Sequence, residues 1–416
     1  MIDIQYLRDN PEKVKQSSKD KGYDVSPEKI IELDDARKSQ QQQIDELRTE
    51  RNAIADSIKR VQGKPDEKLV ARGKQLKTEL ATLEEKHKLT QEQLKELLWG
   101  VPNMSADDVP IGGEKDSVEV KAWGQKNSGA VDHLDYAMKR DWVDFERGAK
   151  VAGAKFYYLK GDLALLENAI TQYALNFVTK RGFTFMTVPH MVNGRIATGT
   201  GFAPRASDQS DEYFIEGEDL SLIATAEIPL TGYHADEIID EDRLPIRYAG
   251  LSPCYRKEAG TYGKHTRGLF RVHQFNKLEM YAFTTPEQSA RMHEEIREVE
   301  EALWQSFGIP YHVINIASGD LGAPATKKYD IEYWSPVDEM YRELTSCSNC
   351  TDFQARNLNI RVRRNDGRVE MVHTLNGTAV SLARSLVVVL EHFQNADGTL
   401  TVPEVLRPYM AERETI

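Results

Sequence analysis

Cysteine is scarce: the 416-residue chain has three, at 254, 347 and 350. An odd, sparse set supplies no disulfide framework and suits a reducing compartment. Cys347-Ser-Asn-Cys350 is a lone CxxC with no second pair. A structural zinc wants four ligands, so these thiols read as small packing residues. No window approaches the roughly 18 uninterrupted apolar residues of a membrane span. Met1-Ile2-Asp3-Ile4-Gln5 has no basic head leading into an apolar run. A cytoplasmic chain without a membrane partner is therefore expected. Positive charge is not in excess either: the net charge is −12, which argues against a generic nucleic-acid binder. There is no P-loop, so any nucleotide chemistry must be built another way.

The length is too great for one core, which rarely grows past about 250–300 residues, and two or three domains are expected. Charge is unevenly spread. Residues 1–101 carry 20 basic and 20 acidic side chains, so the whole −12 belongs to the remainder. Between Lys59 and Lys77 the balance turns basic, with Lys59, Arg60, Lys64, Lys68, Arg72, Lys74 and Lys77 against Asp66 and Glu67. Local charge governs contact with a phosphate backbone.

Leu33, Arg37, Gln40, Ile44, Leu47, Arg51, Ile54, Ile58 and Val61 step by alternating fours and threes. So do Leu69, Gly73, Leu76, Leu80, Leu83, His87, Thr90, Leu94, Leu97 and Val101. Each series is a coiled-coil seam. Gly63-Lys64-Pro65 interrupts them. The pattern predicts an antiparallel two-helix hairpin over 1–101 with its tip near 63–65 and Asp66 capping the second helix. Gln40 should meet Thr90 and His87 in a polar layer that fixes register. Helices of roughly 50 Å, at 1.5 Å per residue, cannot bury themselves in a globular body. Such an arm is an oligomerisation stalk or a lever reaching for a large ligand, and the basic tip favours the lever.

Trp99 to Gly113, rich in proline and glycine, reads as a linker into a second domain over 102–416. Beyond it, helices mix with short strands without regular βαβ alternation, which favours an α+β body with an antiparallel sheet. Leu166, Ile170, Tyr173, Ala174, Phe177 and Val178 mark a helix stopped at Gly182. A strand over 183–188 is closed by Pro189. Leu222 to Glu227 reads as a further strand, and Ala379 to Glu391 as an apolar helix carrying Arg384. Tyr255-Arg256-Lys257-Glu258, a Gly-bearing loop, and Arg271 to Glu279 should form a strand–loop–strand hairpin. That hairpin gathers arginines, acids and Phe275 into a cluster suited to a polyphosphate, an adenine ring and an ammonium group.

Three of these pieces resemble the signature motifs of class II aminoacyl-tRNA synthetases: Gly182 to Pro189 with its helix, Tyr255-Arg256-x-Glu258 with Arg271, and Gly377 to Arg384. Thr225-Ala226-Glu227, Val272-His273-Gln274-Phe275, Thr351-Asp352-Phe353-Gln354-Ala355-Arg356 and the helical hairpin narrow the resemblance to the bacterial-type seryl-tRNA synthetase family, over essentially the whole chain. It implies ATP-dependent attachment of L-serine to tRNA(Ser) through a seryl-adenylate, with tRNA(Sec) also served, by a homodimer paired through the first motif.

By that resemblance, Arg256 bridges the serine carboxylate and the α-phosphate, Glu258 accepts from the adenine amino group, and Phe275 stacks on adenine. Arg271 holds the γ-phosphate, and Arg384 lies on the other adenine face or reaches the γ-phosphate. Lys257, Leu344 and Thr345 complete the ATP site, and Glu343 with Ser346 would ligate Mg²⁺, whose taste is for hard oxygen donors. Thr225 and Glu227 would take the serine amino group, with Ala226 also in the serine site; Glu279 and Thr378 the hydroxyl, with Asn376 nearby. Lys59, Arg60, Lys64, Lys68, Arg72 and Lys74 on the arm, and Lys264 and Arg267 on the loop after Glu258, would contact tRNA. The loop Ala259 to Phe270 is expected to move. Two stretches depart from the family pattern: Phe202-Ala203-Pro204-Arg205, and Ala383 just before Arg384. Other readings are an RNA-binding module without catalysis and a seryl-activating relative that loads a carrier protein. The intact cation set opposes the first, and the arm opposes the second.

Overall fold

The computed structural model describes residues 1–60, 66–202, 211–258 and 267–416. They form two units, Met1–Met104 and Ser105–Ile416.

In the first unit the two seams are helices. After α1 (Ile4–Asp9) and α2 (Pro11–Asp20) come α3 (Pro27–Arg60) and α4 (Glu67–Trp99). Asp66 caps α4 by accepting from the Lys68 N–H at 2.8 Å. Val61 and the tip, including Gly63, Lys64 and Pro65, lie outside the described residues. Ile44, Leu76, Leu80, His87, Thr90 and Leu94 are buried along the seam. The Gln40 amide donates to the Thr90 hydroxyl at 3.1 Å, the polar layer that the pairing expected. The base differs from the pattern. Leu33 and Arg37 were assigned to the seam, but Asp34 is the buried residue, ringed by Arg8, Arg37 and Lys38 at 3.0, 2.7 and 2.9 Å. Burial opposes its ionisation, yet Arg37 and Lys38 hold its carboxyl below the usual range. The heptad count missed this because α1 and α2 close over the base. Their Leu7 and Val14 join Ile30, Leu94, Leu98 and Val101 in one cluster.

The second unit is built on an eight-stranded sheet. Its strands are β1 (Val118–Trp123), β2 (Thr184–Thr187), β3 (Ile246–Tyr255), β4 (Gln274–Thr284), β5 (Tyr311–Asn315), β6 (Lys327–Ser335), β7 (Met340–Thr351) and β8 (His373–Ser381). The spatial order is β1-β5-β6-β7-β8-β4-β3-β2. All neighbours run antiparallel except β2 beside β3, which is parallel. Between the strands lie α5 (His133–Lys139), α6 (Gly161–Thr179), α7 (Glu227–Gly232), α8 (Pro286–Phe307), α9 (Phe353–Leu358) and α10 (Leu382–His392).

Alternation along β4 positions the site. Leu278, Met280 and Ala282 enter the large core with Leu166 and Ile170 of α6, Ile296 of α8 and Leu386 of α10. Phe275, Lys277, Glu279 and Tyr281 therefore share the opposite face, because side chains alternate along a strand. Gly377 on β8 is required by the helical layer: a Cβ there would lie 2.3 Å from Ile296 Cγ2 and 2.8 Å from Glu300 Oε1.

Two element assignments are corrected. The strand expected over 222–227 ends at Leu222, and Glu227 is the first residue of α7. Its run of small apolar residues is buried all round rather than alternately, so burial carries no strand signal there. The helix expected from Ala379 starts at Leu382, because Ala379 to Ser381 complete β8 beside β4.

Candidate active site

The hairpin predicted around Tyr255 and Gln274 is present, with those two residues opposite each other at the ends of β3 and β4. Just past it, Arg256 and His273 exchange backbone contacts: the Arg256 N–H donates to the His273 carbonyl at 3.0 Å, and His273 Nδ1 to the Arg256 carbonyl at 2.9 Å. The Arg256 guanidinium lies 5.3 Å from the Phe275 ring centroid and, among the described residues, its polar contact is a 3.4 Å bond to the Ala224 carbonyl. Glu258 has φ 51°, a left-handed conformation that costs an ordinary residue and concentrates at functional sites. It receives Arg271 at 2.5 Å. Lys257 turns the other way, its amide bonded to the Asp211 carbonyl at 2.8 Å and its ammonium 5.4 Å from the Phe214 ring.

Beside this cluster Arg384, at the start of α10, pairs with Glu343 at 2.8 Å and stands 5.0 Å from the Phe270 ring centroid. The Glu343 side chain is 45% exposed at the edge of the cleft, and crowding by protein, which would raise its carboxyl, is outweighed by Arg384, then Lys328 and Arg256, which bring it down to about 2. Ser346 sits directly across from Asp330 in the β6–β7 ladder. Asp330, which the sequence reading passed over, is buried; that burial and the nearby Glu343 charge push its carboxyl up to about 7 against the pull of Lys328. Its Oδ1 has no hydrogen-bond partner among the described residues. Glu343, Ser346 and Asp330 thus offer oxygen ligands of the kind Mg²⁺ takes. Leu344 and Thr345 are buried, and the Thr345 hydroxyl donates to Glu300 of α8 at 2.9 Å. The Thr345 side chain therefore faces the helical layer.

A second, deeper group lies along β4 and β8. Glu227 is buried, and its Oε1 accepts from the Gln354 amide at 2.8 Å and from the Asn376 amide at 3.0 Å. Gln354 in turn accepts from the Tyr281 and Thr374 hydroxyls at 2.9 and 2.7 Å. Its remaining proton goes to the Thr200 carbonyl at 3.1 Å, so this buried amide is fully satisfied. Burial first, and the neighbouring Glu279 second, push the Glu227 carboxyl up to about 7 against Gln354, Lys277 and Asn376. Glu279 pairs with Lys277 at 2.5 Å and accepts from the Thr225 hydroxyl at 3.4 Å. Thr378 stands opposite Glu279 in the ladder. Ala226 packs on Gly250, where a Cβ would come within 3.0 Å of the alanine methyl. Lys277 could have been read from its two-residue offset from Glu279. Gln354 and Asp330 had no local signal tying them to residues more than a hundred positions away or across a ladder.

The residues expected on tRNA are differently disposed. Lys59, Arg60, Lys68 and Lys74 are exposed. Arg72 is held within the hairpin, with two 2.8 Å bonds to Glu50 and Glu79 at 3.3 Å. It works as a clasp between α3 and α4. Arg267 is paired with Asp135 at 2.7 Å. Lys64, Lys264, the loop residues 259–266 and the 203–205 departure lie outside the described residues. All three cysteines are buried thiols, with no disulfide among the described residues. Among the described residues no helix is long and apolar enough to cross a membrane.

Such a surface combines cations and an aromatic ring, suited to a nucleotide, with two buried carboxylates, Glu227 and Glu279, suited to an ammonium group. The chain is similar to known proteins. The family model described as "tRNA synthetase class II core domain (G, H, P, S and T)" matches residues 212–393, and that described as "Seryl-tRNA synthetase N-terminal domain" matches residues 1–105. The serine–tRNA ligase of Dictyoglomus turgidum is 46% identical over 100% of this chain and 99% of its own. That of Streptomyces coelicolor is 43% identical, again over 100% and 99%. The crystal structure of seryl-tRNA synthetase from Pyrococcus horikoshii complexed with ATP superposes with a TM-score of 0.91 at 39% identity, covering 100% of this chain and 99% of that one.

Proposed function

The chain belongs to the seryl-tRNA synthetase family of class II serine–tRNA ligases, and on that premise we propose how its own residues activate serine and pass it to tRNA. The carrying observation is the adjacency of two groups on one sheet face: Arg256 over Phe275, and two residues further along β4 the Lys277–Glu279 pair beside buried Glu227. ATP and serine meet between them.

Arg256 receives the serine carboxylate and the α-phosphate. The carboxylate attacks phosphorus in line, giving seryl-adenylate and pyrophosphate. Charge accumulates on the phosphate oxygens, so a preset guanidinium fork lowers the barrier. Arg271 and Arg384, each kept in place by a carboxylate until ligand arrives, hold the outer phosphates. Phe275 stacks on adenine, and Glu258 accepts from its amino group. Glu343 and Ser346, with Asp330 behind them, would hold Mg²⁺, which supplies charge neutralisation to the polyphosphate. No general base is required, since positioning and electrostatics suffice. A ribose hydroxyl of the terminal tRNA adenosine then takes the seryl group. The exposed cations of the hairpin arm engage tRNA(Ser), and tRNA(Sec) is served the same way.

Thr225 and Glu227 bind the serine ammonium, and Glu279 and Thr378 its hydroxyl. A recess with buried groups that require a hydroxyl rejects alanine by about 10⁴-fold, and threonine is refused by volume. An aminoacylation assay with serine, threonine and alanine tests this. Comparable charging with alanine, or no serine-dependent ATP–pyrophosphate exchange by folded protein, would refute it.

The raised carboxyl of Glu227 adds a pH dependence. Below about 7 it is protonated and offers the ammonium no countercharge; above, it is ionised. Serine affinity is expected to rise with pH, by up to about tenfold per unit below the midpoint, and to level off above it. Glu227→Gln should flatten the profile of serine KM between pH 6 and 8. A wild-type profile already flat there would remove Glu227 from the ammonium site.

The protein acts as a homodimer. The edge strand β2 leaves Phe185 40% exposed, and Met191 just beyond it is 46% exposed. Sedimentation is expected to give twice the chain mass at micromolar concentration.

A further inference from the structure

Two buried ionisable residues have no part in the chemistry above. His133, at the start of α5, is 1% exposed, and Glu391, near the end of α10, is 2% exposed. His133 Nδ1 lies 3.3 Å from Glu391 Oε1, and its Nε2 accepts the backbone N–H of Leu269 at 3.3 Å. An N–H pointing at Nε2 leaves the ring proton on Nδ1, where it donates to Glu391. The other Glu391 oxygen accepts from the Ser335 and Tyr333 hydroxyls at 2.9 and 3.3 Å. Asp132 stands 3.6 Å from His133 Nδ1. Asp132 also caps α5 through the Leu134 N–H at 3.0 Å and meets Arg267 at 3.6 Å. The trio has the ligand types of a cation site. Its imidazole nitrogens are both committed to protein partners, however, and that commitment defines a different role.

The chain segment so held is the turn Gly268–Phe270 that leads into Arg271. Gly268 has φ +64°, and a Cβ on it would fall 2.5 Å from His133 Nε2, so the turn is pressed onto the imidazole. Leu269 is fully buried. The next two residues reach the cleft: Phe270 lies 5.0 Å from the Arg384 guanidinium, and Arg271 pairs with Glu258 at 2.5 Å. Arg384 and Glu391 belong to the same helix, two turns apart. One rigid element therefore carries an arginine of the nucleotide cluster at one end and, at the other, the carboxylate that orients the imidazole. The imidazole sets the turn that presents the second arginine.

We infer that His133, oriented by Glu391, is a positioning residue for ATP: its hydrogen bond to the Leu269 amide fixes the spacing of Phe270 and Arg271 against Arg384. This rests on the reading of Arg271 and Arg384 as phosphate ligands. The consequence is selective, because the serine recess is built on α7, α9, β4 and β8 and does not include the turn.

The test compares amide variants in serine-dependent ATP–pyrophosphate exchange with the full-length enzyme. His133→Asn keeps a donor toward Glu391 but is too short to reach Leu269. His133→Gln can place an acceptor near the Nε2 position. The asparagine variant is expected to raise ATP KM about tenfold with serine KM within twofold of wild type, while the glutamine variant recovers most of the loss. Leu269 amide hydrogen exchange should accelerate in the asparagine variant and not in the glutamine one. Equal shifts in both variants, or ATP and serine KM moving together, would overturn the proposal. Should the His133 variants not fold, Gly268→Ala disturbs the same contact from the backbone side and carries the same expectation for the two KM values. Arg271→Ala separates the premises: if it leaves ATP KM unchanged, the phosphate reading fails, whereas a raised ATP KM there with a normal one in His133→Asn sinks the anchor alone.

Discussion

Arg256→Ala is expected to slow serine-dependent ATP–pyrophosphate exchange by about 10²–10³-fold, the scale seen when one preorganised donor to a developing oxyanion is removed. The position explains the size. Among the described residues the Arg256 guanidinium has a ring face at 5.3 Å and one 3.4 Å bond to a carbonyl, and no carboxylate within ion-pair distance. Arg271 and Arg384, by contrast, are each paired with an acid. Those two must exchange a carboxylate for a phosphate, and part of their interaction with ATP is spent on the exchange. Arg256 has little to give up, so most of its attraction for the oxyanions goes into binding and rate. Arg256→Lys keeps the charge and loses the fork that spans two oxyanions. It should recover only a minor part of the activity. Exchange in Arg256→Ala within tenfold of wild type would show that the carboxylate–phosphate junction lies elsewhere.

What could be read from sequence divides by physical range. The hairpin of β3 and β4, the seam of α3 and α4, and the Gln40–Thr90 layer follow from short periodicities and were legible. Glu227, Glu279 and Asn376 were found only through motifs, because nothing local says that they converge. Gln354 shows why. Its four hydrogen bonds go to Glu227, Thr200, Tyr281 and Thr374, on four different segments. Buried polar networks of this kind are set by tertiary closure and leave no periodic trace. Arg72 shows the reverse. Its place in a basic run suggested a phosphate contact, but Glu50 across the hairpin, 22 residues away in sequence, pairs with it, joined by Glu79 two turns along its own helix. Counting charge along the chain cannot tell a free cation from a clasped one.

Shortening the arm is expected to separate the two half-reactions. Removing residues 30–97 outright would strip Ile30 and Leu94 from the basal cluster and leave Leu7, Val14 and Leu98 exposed. That result would confuse misfolding with lost recognition. The Gln40–Thr90 bond offers a better cut. Joining 40 to 90 through a short Gly-rich turn keeps that layer and everything beneath it. It removes about 30 Å of hairpin at 1.5 Å per residue, together with the exposed cations Lys59, Arg60, Lys68 and Lys74. ATP–pyrophosphate exchange should stay within about twofold of the full chain, since every residue assigned to ATP and serine, His133 and Glu391 included, lies outside the excised 41–89. Charging of tRNA(Ser) should fall by about 100-fold or more, the equivalent of roughly 3 kcal/mol of lost contact. It should fall further as salt is raised, because the remaining affinity loses its phosphate neutralisation. Sedimentation of the shortened protein decides against the stalk: an unchanged mass with lost charging leaves the lever as the arm's role, and a mass halved with charging intact would assign the arm to assembly instead.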